Sequence, residues 1–174
     1  MQKNVKKLTL IAVLTAIALI IFVVEAQIPL PLPIPGVKLG LANAVTLFAL
    51  FYSKKNVEQD ILTAKDAFAI LLGRIILGGI FTGRFVAFLY SIAGGILAFA
   101  VQILMKRFVT QKQIWVCGAI GAVFHNVGQI IVAVLITGST AIFAYLPILI
   151  ITGIITGVIT GFIAQLTLER LIRL

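Results

Sequence analysis

Acidic side chains are scarce in this chain: its 174 residues hold five Asp and Glu against fourteen Lys and Arg. The only aspartates are Asp60 and Asp66, and Glu25, Glu58 and Glu169 are scattered. Chemistry that holds a divalent ion against a diphosphate needs clustered carboxylates, and this sequence has no such cluster. It also lacks a Walker sequence, a metal-ligand constellation and a paired nucleophile and base. The expectation is a chain that is not an enzyme and binds no cofactor of its own. Cys117 is the single cysteine, so a disulfide within the chain is excluded and a small buried thiol is expected inside its apolar run.

Apolar sequence is what the chain has in abundance. Hydrophobic residues make up 61% and charged residues 11%, with a mean hydropathy of +1.21. Several runs approach the ~20 residues that cross a bilayer, which marks an integral membrane protein. The net charge of +9 invites a nucleic-acid reading. However, the basic residues form short clusters between apolar runs and are not interleaved with stacking aromatics, so no nucleic-acid partner is expected. Leu8 to Val24 is longer than a ~7–15-residue signal core, so the first run is read as a retained helix.

The fold expected is an all-α bundle of six transmembrane helices in a single membrane domain, at about 8–25, 39–53, 64–82, 84–105, 113–136 and 141–169. The second and third are short or weakly hydrophobic. Lys3, Lys6 and Lys7, then Lys54, Lys55 and Lys65, then Lys106, Arg107 and Lys112, and finally Arg170 and Arg173 fall at alternate connections. Under the positive-inside rule that alternation puts both termini in the cytoplasm, with Lys38 and Arg84 on the outer side. Four of the five prolines, Pro29, Pro31, Pro33 and Pro35, punctuate the loop 26–38 between the first two helices. Prolines at every second position favour an extended path, and non-helical backbone beside a bilayer is tolerated where protein covers it or it lines a watery cavity. The loop is therefore read as an external lid.

Depth follows from topology. His125 lies near the middle of the fifth helix with Asn126 and Gln129 above it, Asn43 lies under the outer end of the second, and Glu25 and Arg84 share that side. Arg74 is the one mid-membrane charge. Polar groups in spans usually face the bundle interior or a wet cavity, so these residues point to an outward-opening chamber. Lys38, Asn43, Arg74, His125, Asn126 and Gln129 are the candidate substrate contacts. Glu25, Pro33, Pro35, Gly36 and Arg84 are the candidate lid or gate. Plainer roles stand beside these: the amides and His125 as stitches between helices, Glu25 as a neutraliser of Lys38 or Arg84, and Arg74 as a donor to helix-end carbonyls. Ala12-x-x-x-Ala16 and Gly153-x-x-x-Gly157-x-x-x-Gly161 permit close helix approach, either within the chain or to a partner.

Pro35 to Asn43, Arg74 to Gly79, Ser91-x-x-Gly94-Gly95 and His125-Asn126-x-Gly128-Gln129 together resemble the Gx transporter family, labelled heptaprenyl diphosphate synthase component I, over nearly the whole chain. That family in turn resembles the substrate-binding S components of energy-coupling factor (ECF) transporters. The resemblance implies a prokaryotic, multi-pass cell-membrane importer subunit with the lid matched by Gln27 to Lys38. It also implies that Ala12 and Ala16 dock a transmembrane T component, and that two partner ATPases use the ATP. The implied substrate is a small aromatic or amphipathic molecule, such as a dihydroxynaphthoate quinone precursor. The family label implies instead a noncatalytic membrane component of heptaprenyl diphosphate synthase. A stand-alone carrier is disfavoured, because no inverted repeat or buried acidic relay is present.

Overall fold

The structure is a computed structural model that describes residues 2–27, 40–52 and 62–173. The proline loop, and with it Lys38, Pro33, Pro35 and Gly36, lies outside the described residues. Six α-helices are described: α1 Gln2–Glu25, α2 Asn43–Tyr52, α3 Ala64–Thr82, α4 Phe85–Met105, α5 Ile114–Thr137 and α6 Leu146–Arg173. No strand occurs among the described residues. Four of the helical segments are long and apolar enough to cross a membrane by length and composition.

The other two helices depart from that standard for different reasons. α3 has 19 residues but carries Lys65, Asp66 and Arg74. α2 has only ten residues where 39–53 was expected. At 1.5 Å per residue α2 rises about 15 Å, roughly half the hydrocarbon thickness. Its start is delayed because Gly40 adopts φ +79° and residues 40–42 form a turn. α1 begins earlier than expected because its lysine-bearing first turns, rich in good helix formers, continue the helix beyond the apolar run. α6 begins later than expected, after a 3₁₀ segment at Thr140–Tyr145. Pro147 is then its second residue, a first-turn position where the missing N–H is tolerated.

The helices alternate in direction. Lys7 at the start of α1 pairs with Asp66 at the start of α3 at 2.7 Å, and Lys106 after α4 donates to the Leu50 carbonyl near the end of α2 at 2.7 Å. A cation there also complements the negative end of the α2 dipole. This end of the bundle gathers Lys6, Lys7, Lys65, Lys106, Arg107 and Lys112, whereas Arg84 stands at the opposite end. The basic clusters separated in sequence are thus united by up-and-down topology.

α2 is enclosed on nearly every side, with Ala44 to Leu47 and Ala49 to Phe51 buried, whereas α1 and α3 bury a stripe. On α3 it comprises Ala67, Ile70, Leu71, Arg74, Ile75 and Gly78, a helical spacing that places Arg74 in line with the core. On α1, Leu14, Ala18, Phe22 and Glu25 face inward, while Ala12, Ala16, Ile20 and Val24 face outward. The central apolar cluster joins Leu14, Leu47, Leu50, Ile70, Leu71, Phe99 and Cys117. α5 packs extensively against both α4 and α6.

The α5–α6 contact depends on absent side chains. A Cβ on Gly118 would collide with the Gly157 carbonyl oxygen and come within 2.8 Å of Gly161 Cα. Backbones that meet this closely have no room to relax. Gly118→Ala is therefore expected to destabilise the detergent-purified protein by about 1–3 kcal/mol. Ile155→Val on the outward face of α6 should change stability by less than about 0.5 kcal/mol, with thermal unfolding of both variants as the measurement.

Candidate functional site

Glu25, Asn43, Arg74, His125 and Gln129 come together inside the bundle from four helices. Glu25, the last residue of α1, is 3% exposed and holds the start of the next segment. Its Oε1 accepts a hydrogen bond from the Gly40 N–H at 2.5 Å, and its Oε2 one from Leu41 at 3.0 Å. Gly40 is suited to this turn because its positive φ would strain any side chain. Neutralising Arg84, one role expected for Glu25, is not what the structure shows. Arg84 is exposed at the start of α4, outside the buried cluster.

Arg74 is 2% exposed. Its Nη2 donates to Asn43 Oδ1 at 3.1 Å, which ties α3 to the first residue of α2. Its guanidinium lies 5.8 Å from the centroid of the Phe22 ring and within coulombic reach of Glu25. A cation over an aromatic face, with a carboxylate in its electrostatic surroundings, recovers part of the cost of leaving water. Arg74 Nε has no hydrogen-bond partner among the described residues.

His125 and Gln129 are one helical turn apart on α5, and Gln129 Nε2 meets His125 Nε2 at 3.0 Å. With the amide in this orientation Gln129 donates, so His125 Nε2 accepts and the ring proton sits on Nδ1. That nitrogen lies against Gly94 of α4 without a well-formed hydrogen bond, and a Cβ on Gly94 would come within 2.9 Å of it. Gln129 Oε1 is likewise unpaired among the described residues. Asn126 belongs elsewhere, because its Nδ2 donates to the Leu149 carbonyl of α6 at 2.5 Å. It therefore stitches α5 to α6 and does not join the Arg74 cluster.

Two clefts among the described residues lie away from these polar groups. One of about 340 Å³ is lined by Ile76, Gly79, Ile80 and Phe88, and one of about 570 Å³ by Phe68, Ile96, Phe99 and Ala100, both along the α3–α4 seam. The smaller cleft is lined by apolar side chains and glycines, and the larger also has Lys65 in its lining. Among the described residues no group of His, Cys, Asp and Glu is arranged to hold a metal ion.

The sequence profile described as heptaprenyl diphosphate synthase component I matches residues 14–167. The chain belongs to this family. The match spans Phe22, Glu25, Asn43, Arg74, Gly94, His125 and Gln129, so every member of the buried cluster lies within the family's shared region. No curated protein and no solved structure matches the chain.

Phe22 and the peptide groups of Gly40 and Leu41 were not among the residues singled out from sequence. The helical spacing of Phe22 and Glu25 on α1 was the available signal for the first. The second had none, since any residue type carries a peptide N–H. If Glu25 and Arg74 compensate each other, Glu25→Gln and Arg74→Gln should each lower stability, and the double variant should fall short of their sum by about 0.5–3 kcal/mol. Denaturant titration of the four proteins in detergent measures that coupling, and strict additivity would contradict the pairing.

Proposed function

We propose that this chain is the substrate-binding S component of an ECF-type importer, carrying a small aromatic or amphipathic molecule inward across the cell membrane. The observation that carries this reading is the cluster of Glu25, Arg74, His125 and Gln129, all buried, with half-buried Asn43, which gathers two ionisable groups and an imidazole at the α1–α2 junction. Ionisable groups inside membrane helices are costly to bury, and their default explanation is a substrate pathway. Arg74 and the amide and imidazole groups suit a carboxylate or phenolic hydroxyl, and the neighbouring Phe22 suits a ring, as in a dihydroxynaphthoate.

In this reading the basic end of the bundle is cytoplasmic and the Glu25 end faces outward, in agreement with the positive-inside rule. The chain supplies neither ATP hydrolysis nor other catalysis. Energy comes from two ATPases acting through a transmembrane T component. Ala12 and Ala16 face outward on α1, as a docking stripe requires. Ala12→Leu combined with Ala16→Leu should abolish copurification with the T component and ATPases while leaving ligand affinity unchanged. Loss of both would contradict a separate docking face.

The family description favours a second reading, a noncatalytic membrane component attached to a heptaprenyl diphosphate synthase. Thermal unfolding against naphthoates, vitamins and prenyl diphosphates separates the two, because a ligand that binds only the folded state raises stability, by about 2.7 kcal/mol at a hundred times its Kd. The importer reading expects saturable stabilisation by a naphthoate that is lost in His125→Ala. Stabilisation by prenyl diphosphate alone, with copurification of a soluble synthase subunit, would favour the second.

A further inference from the structure

The contact between Glu25 and the chain ahead of α2 has the chemistry of carboxylate recognition. Two successive peptide N–H groups, those of Gly40 and Leu41, converge on the two oxygens of one carboxylate at 2.5 and 3.0 Å. Consecutive peptide donors of this kind form an anion nest, and the positive end of the ten-residue α2 lies just beyond it. Arg74 stands within coulombic reach of the same carboxylate, is 2% exposed, and keeps Nε without a hydrogen-bond partner among the described residues. Arg74 thus keeps an unused donor in the same buried region, beyond direct ion-pair distance of the carboxylate that the two peptide groups hold. A Cβ on Gly40 would lie 3.8 Å from His125 Cδ2, so the nest adjoins the imidazole edge, while His125 Nδ1 is turned toward Gly94 and Gln129 Oε1 has no hydrogen-bond partner among the described residues.

Resting on the reading of this cluster as the substrate site, we propose that the Gly40 and Leu41 peptide groups and the Arg74 guanidinium form a carboxylate-binding site. Glu25 fills that site in this structure, and the carboxylate of an aromatic acid displaces it on capture. Glu25 is then a resident competitor. The exchange brings one carboxylate in as another leaves, so the buried charge is conserved and no unpaired ion is left in the bundle. Glu25 is the last residue of α1, so its displacement need not unwind the helix behind it. A neutral amide of the same ring cannot replace a carboxylate at charge-assisted donors, so the exchange selects acids.

Glu25→Ala vacates the site, and the full-length variant in detergent is compared with the parent protein in sodium acetate, acetamide and sodium chloride at matched ionic strength. Saturable thermal stabilisation of Glu25→Ala by acetate, absent with acetamide and chloride and absent in the parent, is the expected result. Equal responses to the three solutes would overturn the proposal. Should Glu25→Ala not fold, the near-isosteric Glu25→Gln decides. Its affinity for dihydroxynaphthoate should exceed that of the parent by about tenfold, since a charged competitor has become a neutral one, with no change for the matching carboxamide. An unchanged acid-to-amide ratio, including no binding of either compound, sinks the idea. Acetate rescue without ATP-driven uptake would leave the carboxylate site standing and remove the importer reading, whereas uptake without rescue would do the reverse.

Discussion

A carboxylate and a guanidinium inside an apolar helical bundle must be compensated locally, because neither lipid nor aliphatic side chains can replace water around an ion. Glu25 and Arg74 impose that requirement on this fold. Glu25 draws the Gly40 and Leu41 peptide groups onto the end of α1, which fixes where α2 can begin. Arg74 reaches Asn43, the first residue of α2, and lies against Phe22 on α1. The start of α2, the positive φ at Gly40 and the junction of three helices coincide with the contacts of these two charges.

The rest of the bundle brings α5 close enough to take part. α5 carries His125 and Gln129 on one side and Asn126 on another, and it packs against α4 and α6 through glycines that let backbones touch. A stripe of small residues thus does more than pack helices. It sets how near the imidazole approaches α4 at Gly94, and which amide turns toward the buried cluster rather than toward α6. Asn126 and Gln129 are three positions apart on the same helix, yet one binds the α6 backbone and the other binds His125.

Charge is also sorted along the long axis. Lysines and arginines collect at one end, where Lys7–Asp66 and Lys106–Leu50 close the helices together, and the polar cluster with spare hydrogen-bonding capacity lies toward the other. A molecule organised this way has a fixed, basic anchoring end and a junction rich in unpaired donors and acceptors.

Composition and hydrophobic period alone determined the all-helical membrane class, the extents of α3, α4 and α5 to within a residue or so, and the prominence of Arg74, His125 and Gln129, because apolar runs, charge clusters and rare buried polar residues are one-dimensional signals. The starts of α1, α2 and α6 were not legible in the same way. They depend on a lysine helix continuing past its apolar part, on a turn clamped by Glu25, and on a 3₁₀ segment ahead of Pro147. Tertiary structure alone decided that Glu25 holds peptide groups rather than Arg84, that Asn126 belongs to the α5–α6 seam, and that Ala12 and Ala16 face outward. Each of these is a matter of helix rotation and of which backbone lies opposite, and a sequence records the side chain but not the partner that three-dimensional packing places before it.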